Sequence, residues 1–145
     1  MKVVLSHSKP ELQSHSWIQD INTLDTIVDN SEATEIIVDN FLSSFNFDVV
    51  GHVVSKIVSK LRISGEVIFY VKDISLICHN VDSMGLEISE INKLFFEDSA
   101  NMSSVLNIEN VCDLLEGAGL KVHEKYLNVE TCQGIVKARR IINER

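Results

Sequence analysis

Apolar residues at Val53, Val54, Ile57, Val58 and Leu61 recur at helical spacing, and the run stops on Ser64-Gly65 before a continuous apolar stretch, Val67 to Val71. The spacing predicts a helix over 49–62 and a buried strand over 67–71, joined by a tight glycine turn. A helix that feeds directly into a buried strand is the crossover unit of parallel sheets. Upstream, Lys2 to Leu5, the Trp17-Ile18 pair leading to Asp20, and Ile36 to Val38 read as short strands. The polar stretches 6–16 and 22–33 separate them. Pro10 suits the start of one helical turn and no more. Phe41, Leu42 and Phe45 predict a partly helical link. Downstream, 87–96 reads as a helix with Ile88, Ile91, Leu94 and Phe95 on one face. Asn107 is placed to cap a helix that Gly117-Ala-Gly119 ends. The segments 120–129 and 134–142 alternate as strands, and the short polar link between them predicts an antiparallel pair. The order β, β, β, α, β, α, α, β, β defines an α/β protein. Its sheet is expected to be mostly parallel and twisted, flanked by helices, with a C-terminal antiparallel hairpin.

Composition narrows the class. The chain has 145 residues, 45% of them hydrophobic and 23% charged, enough for one packed domain spanning 1–145 and too apolar for disorder. With one proline and no repeat or Ser/Gly-rich linker, no internal boundary is expected. A formal net charge of −8 argues against nucleic acid as a partner, because phosphate binding needs Lys and Arg to displace counterions. No apolar run reaches membrane-span length, and the opening Met1 to His7 is too short for a secretory leader. Cys78, Cys112 and Cys132 are odd in number and widely spaced, so reduced thiols and a cytoplasmic location are expected. In that setting the sequon Asn101-Met-Ser103 carries no glycan. No metal site is expected either. His7, His15, His52, His79 and His123 show no ligand spacing, and no CxxC pair occurs.

Several weak motifs, in order, resemble the class I S-adenosylmethionine-dependent methyltransferases, specifically short members that lack much of the first helix. The family's opening K-L-N-L-G-C-G and G-W-I-N-V-D correspond to Lys2-Val-Val-Leu-Ser-His-Ser8 and Ser16-Trp-Ile-Gln-Asp20. Its D-N-S-x-x-x-I strand and L-E-H turn correspond to Asp29-Asn-Ser-Glu-Ala-Thr-Glu-Ile36 and Leu42-Ser-Ser44. R-V-L-K-P-G-G is matched in place by Lys60-Leu-Arg-Ile-Ser-Gly65. N-x-L-[FY]-G and L-x-x-A-G-F meet Asn92-Lys-Leu-Phe-Phe96 and Leu115-Glu-Gly-Ala-Gly-Leu120. The chain departs from the pattern at the glycine loop, at the Glu-His pair (Ser43-Ser44 here) and at Pro-Gly-Gly.

The resemblance implies a Rossmann-like fold, S-adenosylmethionine as cofactor and a small-molecule acceptor. It places Asp20 on the cofactor ribose, where a carboxylate accepts from two hydroxyls at once. Ser6, His7 and Ser8 would lie at the carboxyl end of the first strand, and Asp25 and Asp29 near the adenine. Asp39, with Asn40, would face the transferred methyl and act as a base toward the acceptor. Blander readings stand beside these: a solvated turn for Asp20, a loop that has lost its role for Ser6–Ser8, and a polar strand end for Asp39-Asn40. Cys78 follows the central strand and reads as an inert thiol. Ile88 to Phe96 reads as core packing, with an acceptor lid or dimer face as the alternative. Lys137, Arg139 and Arg140 read as solvated edge charges. The loss of the glycine loop leaves a second function open: a non-catalytic methyltransferase-like module that binds a protein partner or forms a homodimer.

Overall fold

The computed structural model describes residues 1–83, 85–93, 95 and 102–141. The elements in chain order are β1 Lys2–Leu5, β2 Ser16–Ile18, α1 Ile21–Ile27, β3 Ala33–Asp39 and a 3-10 turn at Leu42–Ser44. They continue with α2 Phe47–Ser59, β4 Leu61–Lys72, α3 Ile74–Ser83, α4 Ile88–Asn92, α5 Ile108–Gly117, β5 Leu120–Asn128 and β6 Gln133–Arg140. The strands form one sheet in the order β2-β1-β3-β4-β6-β5. The first four run parallel, and β6 enters antiparallel between β4 and β5.

One face of the sheet holds the core. Val3, Leu5, Ile36, Val38, Val67, Phe69 and Val136 point to it, and α1, α2 and α5 bring Leu24, Ile57, Val111 and Leu115 against them. Helix α2 contributes most: Val50, Val53, Val54, Ile57 and Val58 are all buried, each worth about 1.5–3 kcal/mol of transfer free energy. The β1–β2 connection crosses without a helix, and His15 Nε2 ties it to Glu35 Oε2 of β3 at 2.5 Å.

Where the structure departs from the expectations, local physics explains it. The polar stretch 22–33 holds α1, which the pattern hides because only Leu24 within it is buried. Its start is signalled by Asp20, whose side chain accepts from the Asn22 amide. Helix α2 ends at Ser59, three residues before the expected 62, because Leu61 already pairs with Ala33 in the sheet. Ser64-Gly65 is therefore an irregularity inside β4 and not a turn before it. Ser64 sits at φ 69°, and a Cβ on Gly65 would lie 2.8 Å from Leu61 Cδ1. Helix α3 was not expected at all. The helix expected over 87–96 is observed as Ile88–Asn92 and buries no residue; Ile88 is 74% exposed, so core packing does not describe it. Leu94 and Phe96, and the strand's expected end at Ile142, lie outside the described residues. Strand β6 is interior, so its cations are not edge charges. Lys137 pairs with Glu124, Arg139 with Glu66, and Arg140 Nη1 donates to Leu61 O at 2.6 Å.

Asp73 ties the second half of the chain together. Its amide donates to Cys132 O at 2.9 Å. Its Oδ1 accepts from the Leu76 amide of α3 at 2.9 Å, and its Oδ2 from the Ile108 amide of α5 at 2.8 Å. One buried carboxylate thus serves the positive ends of two helices. Asp73→Ala is expected to lower stability by about 2–4 kcal/mol, two caps at roughly 1–2 each, measured by urea unfolding. Asp73→Asn keeps one acceptor oxygen and should fall between the parent and Asp73→Ala.

Candidate functional site

Because β1, β2, β3 and β4 are parallel, their carboxyl ends share one edge of the sheet. Strand β1 lies between β2 and β3, so the chain leaves β1 toward one side and returns on the other. Open α/β sheets bind ligands in the crevice above such a reversal.

The residues at this point are Ser6, His7 and Ser8 after β1, Asp20 after β2, and Asn40-Phe41 after β3. Ser6 is buried and fully engaged: its amide donates to Ile18 O, its carbonyl accepts from Trp17 Nε1 at 3.1 Å, and its Oγ donates to Ser8 O at 2.7 Å. These bonds fix the loop after β1. None of its three residues has positive φ, so serine and histidine are unstrained here. The His7 ring stacks on Phe41, centroids 5.1 Å apart and planes at 23°. Phe45 meets Phe41 edge-on at 5.4 Å. His7 Nε2 is enclosed and has no hydrogen-bond partner.

A cleft of about 500 Å³ opens beside this aromatic group, lined among others by His7, Gln19, Asp20, Asn22, Phe41 and Phe45. That volume lies within the roughly 300–1,000 Å³ of small-molecule sites. The structure therefore brings His7 and Asp20 together; Ser6 is buried and Ser8 exposed, and neither lines this cleft. Asp20 uses one carboxylate oxygen to cap α1. Asp25 is not brought to this group. Its carboxylate lies between Lys56 and Lys60, 2.8 Å from each, and these hydrogen bonds hold its pKa below the ordinary value. Lys60 closes α2 and donates also to Asn30, which places this cluster at the amino-terminal edge of the sheet. Asp29 is exposed beside that cluster, its amide bonded to Glu32 Oε2.

A second cleft, about 640 Å³, lies above the ends of β3 and β4 and under the β5–β6 turn. Asn40, Lys72, Asn80, Glu90 and Glu130 line it. Asn40 carries φ 50°, and its Nδ2 donates to Asp39 Oδ1 at 3.2 Å. Asp39 is exposed as a residue, yet the surrounding protein displaces enough water from its carboxyl to raise its pKa. Asn80 is buried, and its Nδ2 donates to Val129 O and Cys132 Sγ, each at 3.3 Å. Lys72 and Asn80 escaped sequence reasoning, although Asp73, Leu76, Ile77 and Asn80 repeat at i, i+3, i+4 and i+7. That stripe is the signal that would have located both α3 and the cleft wall.

Cys78 is exposed, and Cys112 and Cys132 are buried and free. Among the described residues no group of three or more His, Cys, Asp or Glu is placed to hold a metal, and no helix is long and apolar enough to cross a membrane.

No protein-family model matches the sequence, and no curated protein matches it. Solved structures do. An O-methyltransferase family protein from Burkholderia thailandensis superposes with TM-score 0.61 at 8% identity, over 90% of this chain and 37% of that one. A SAM-dependent methyltransferase from Archaeoglobus fulgidus gives 0.61 at 11%, over 87% of this chain and 68% of that one. A putative methyltransferase from Haloferax volcanii, in complex with the Trm112 methyltransferase activator, gives 0.62 at 10%, over 94% and 65%. At such identities the likeness defines the fold alone: this is the Rossmann-like fold of the class I methyltransferases. The chain spans little more than a third of the length of the Burkholderia protein.

The raised Asp39 pKa has a consequence for stability. An acid whose pKa is higher in the folded state costs stability once pH exceeds its unfolded value, and the penalty is complete above the folded value. Asp39→Asn should therefore raise the melting temperature at pH 7. The gain should vanish as pH falls below the ordinary aspartate range, about 3.9. Thermal unfolding across pH measures it.

Proposed function

We propose that the chain is an S-adenosylmethionine-dependent methyltransferase acting on a small acceptor. The nucleoside half of the cofactor would lie in the first cleft and the acceptor in the second. The observation that carries this reading is the pair of clefts side by side on the carboxyl edge, with Asp20 at the end of β2. The residues present fit the cofactor. Asp20 offers a carboxylate to a diol, and the His7 and Phe45 rings beside the first cleft offer an aromatic wall to a purine. When bound, the cofactor supplies an electrophilic methyl group on sulfur. The protein's task is then alignment of the acceptor, which dominates such reactions. Asp39 would take the acceptor's proton, its raised pKa moving it toward working pH, while Asn40 holds its carboxylate. The net charge of −8 favours a small acceptor over nucleic acid, and we place the protein in the cytoplasm.

Calorimetric titration with S-adenosylmethionine and S-adenosylhomocysteine tests the reading. Binding is expected, and Asp20→Ala should weaken it about tenfold or more, the worth of ~1.5 kcal/mol for a hydrogen bond to a charged group. Absence of both heat and thermal shift at millimolar cofactor would overturn it.

A second reading rests on His7. Its ring occupies the place of the family's glycine loop and packs on Phe41, which supports a module that has given up the cofactor and serves a partner. The Haloferax structure, a methyltransferase with an activator protein, is a precedent for such a partner. On this reading cofactor binding is absent in the parent and appears when Ser6 and Ser8 are changed to Gly, while light scattering reports a dimer or a stable complex. A strict monomer that binds cofactor excludes it.

A further inference from the structure

Helices α2 and α5 pack against each other, and a groove of about 400 Å³ lies between them. Phe47, Gly51 and Leu114 line it, and Asp48 of α2 and Asp113 of α5 add one carboxylate from each helix. Phe47 is 62% exposed. It also lines a hollow of about 570 Å³ together with Met102 and Val105, so the apolar surface continues past the groove. Exposed aromatic and methionine surface rimmed by polar groups is the composition of a protein-binding site. Gly51 is the unusual residue. It sits inside α2, where glycine destabilises a helix relative to alanine. Nothing in the fold asks for it. Its φ is not positive, and a Cβ there would make an ordinary 3.6 Å contact with Leu114 Cδ2. The missing side chain instead keeps the groove open beside Leu114.

The charge is one-sided as well. Asp48 suits the amino end of α2, but Asp113 has no such local reason. Neither is paired with a cation among the described residues, and Lys56 and Lys125 are engaged with Asp25 and Glu109. An apolar groove between two helices, with an acid on each, fits a third helix that has an apolar stripe and Lys or Arg beside it. A second copy does not supply that helix. Helices α1, α3, α4 and α5 contain no Lys or Arg, Lys56 of α2 is paired, and Lys93 only follows the five-residue α4.

We infer that the groove between α2 and α5 docks a cationic amphipathic helix of a partner protein. The partner's apolar stripe meets Phe47 and Leu114 across Gly51, and its cations meet Asp48 and Asp113. The inference goes beyond both readings of the first cleft and stands whether or not the cofactor binds.

The probe is a side-chain-stapled helical peptide of about 14 residues, with leucine at i, i+3, i+4 and i+7 and lysines flanking that stripe. A control peptide carries glutamate in place of each lysine. In an amide NMR titration of the full chain, the lysine peptide should bind at submillimolar concentration, with shifts gathered at 47–51 and 110–114. The glutamate peptide should bind at least about tenfold more weakly. Asp48→Lys combined with Asp113→Lys should reverse that preference. Gly51→Leu should fill the groove and weaken the lysine peptide about tenfold or more without lowering the melting temperature, and Gly51→Ala should raise the melting temperature with a smaller loss of binding. Equal binding of the two peptides, no binding of either, shifts centred elsewhere, or an unchanged affinity in Gly51→Leu would overturn the inference. So would a dimer, seen by light scattering, whose contact covers the same amides in the free chain. The cofactor titration is separate, since neither result there alters what is expected of the peptides.

Discussion

Asp73 is the constraint on which the second half of the molecule depends. Parallel strands need a crossover, and the crossover from β4 toward β5 and β6 starts at this residue. Its two carboxylate oxygens gather the amides of α3 and α5, and its own amide holds Cys132 in the β5–β6 turn. Three segments far apart in sequence are thereby fixed to the end of β4. Gly134 shows how close the fit is. A Cβ there would fall 2.0 Å from Ile108 Cγ2, so α5 lies directly against the start of β6. The wall of the second cleft, Asn80 on α3 and Cys132 in the turn, inherits its position from this clamp.

The α/β class, the terminal hairpin, the 3-10 link and α5 with its Asn107 cap were legible because each has a local signal: period two, period 3.6, or a capping residue with glycines beyond. Two helices were not legible for opposite reasons. Helix α1 buries a single leucine inside a polar run, so it shows no stripe. Helix α3 has the stripe, but a single residue, Asp73, separates it from β4, and the polar stripe positions Asp73 and Asn80 break the apolar count although both are buried. Their burial is set by long-range partners, which no window along the chain contains. The same holds for the sites. His7 and Asp20 follow strand ends and can be placed from sequence. Asp25 looked equivalent and was removed by Lys56 and Lys60, which lie beyond β3, within and at the end of α2.

The loop after β1 holds its shape without a glycine. Glycine is required where φ is positive or where a ligand comes against the backbone. Here φ is ordinary at all three positions, and Ser6 locks the loop with its own hydroxyl and backbone. The His7 ring rests on Phe41.

Asn40 and Phe41 show how one sheet edge holds two chemistries. They are consecutive, yet Phe41 lines the first cleft and Asn40 the second. In an extended strand neighbours diverge to opposite faces, but these residues have left the sheet and need another device. The left-handed turn at Asn40 supplies it, and asparagine is among the few side chains that accept such a φ readily. The Asn40 amide still holds Tyr70 O at 2.8 Å, so the chain stays in register with β4 until the turn. One residue therefore ends β3, separates the two clefts and lines the second. A residue fixed for three reasons at once is the point from which the function of this edge is best probed.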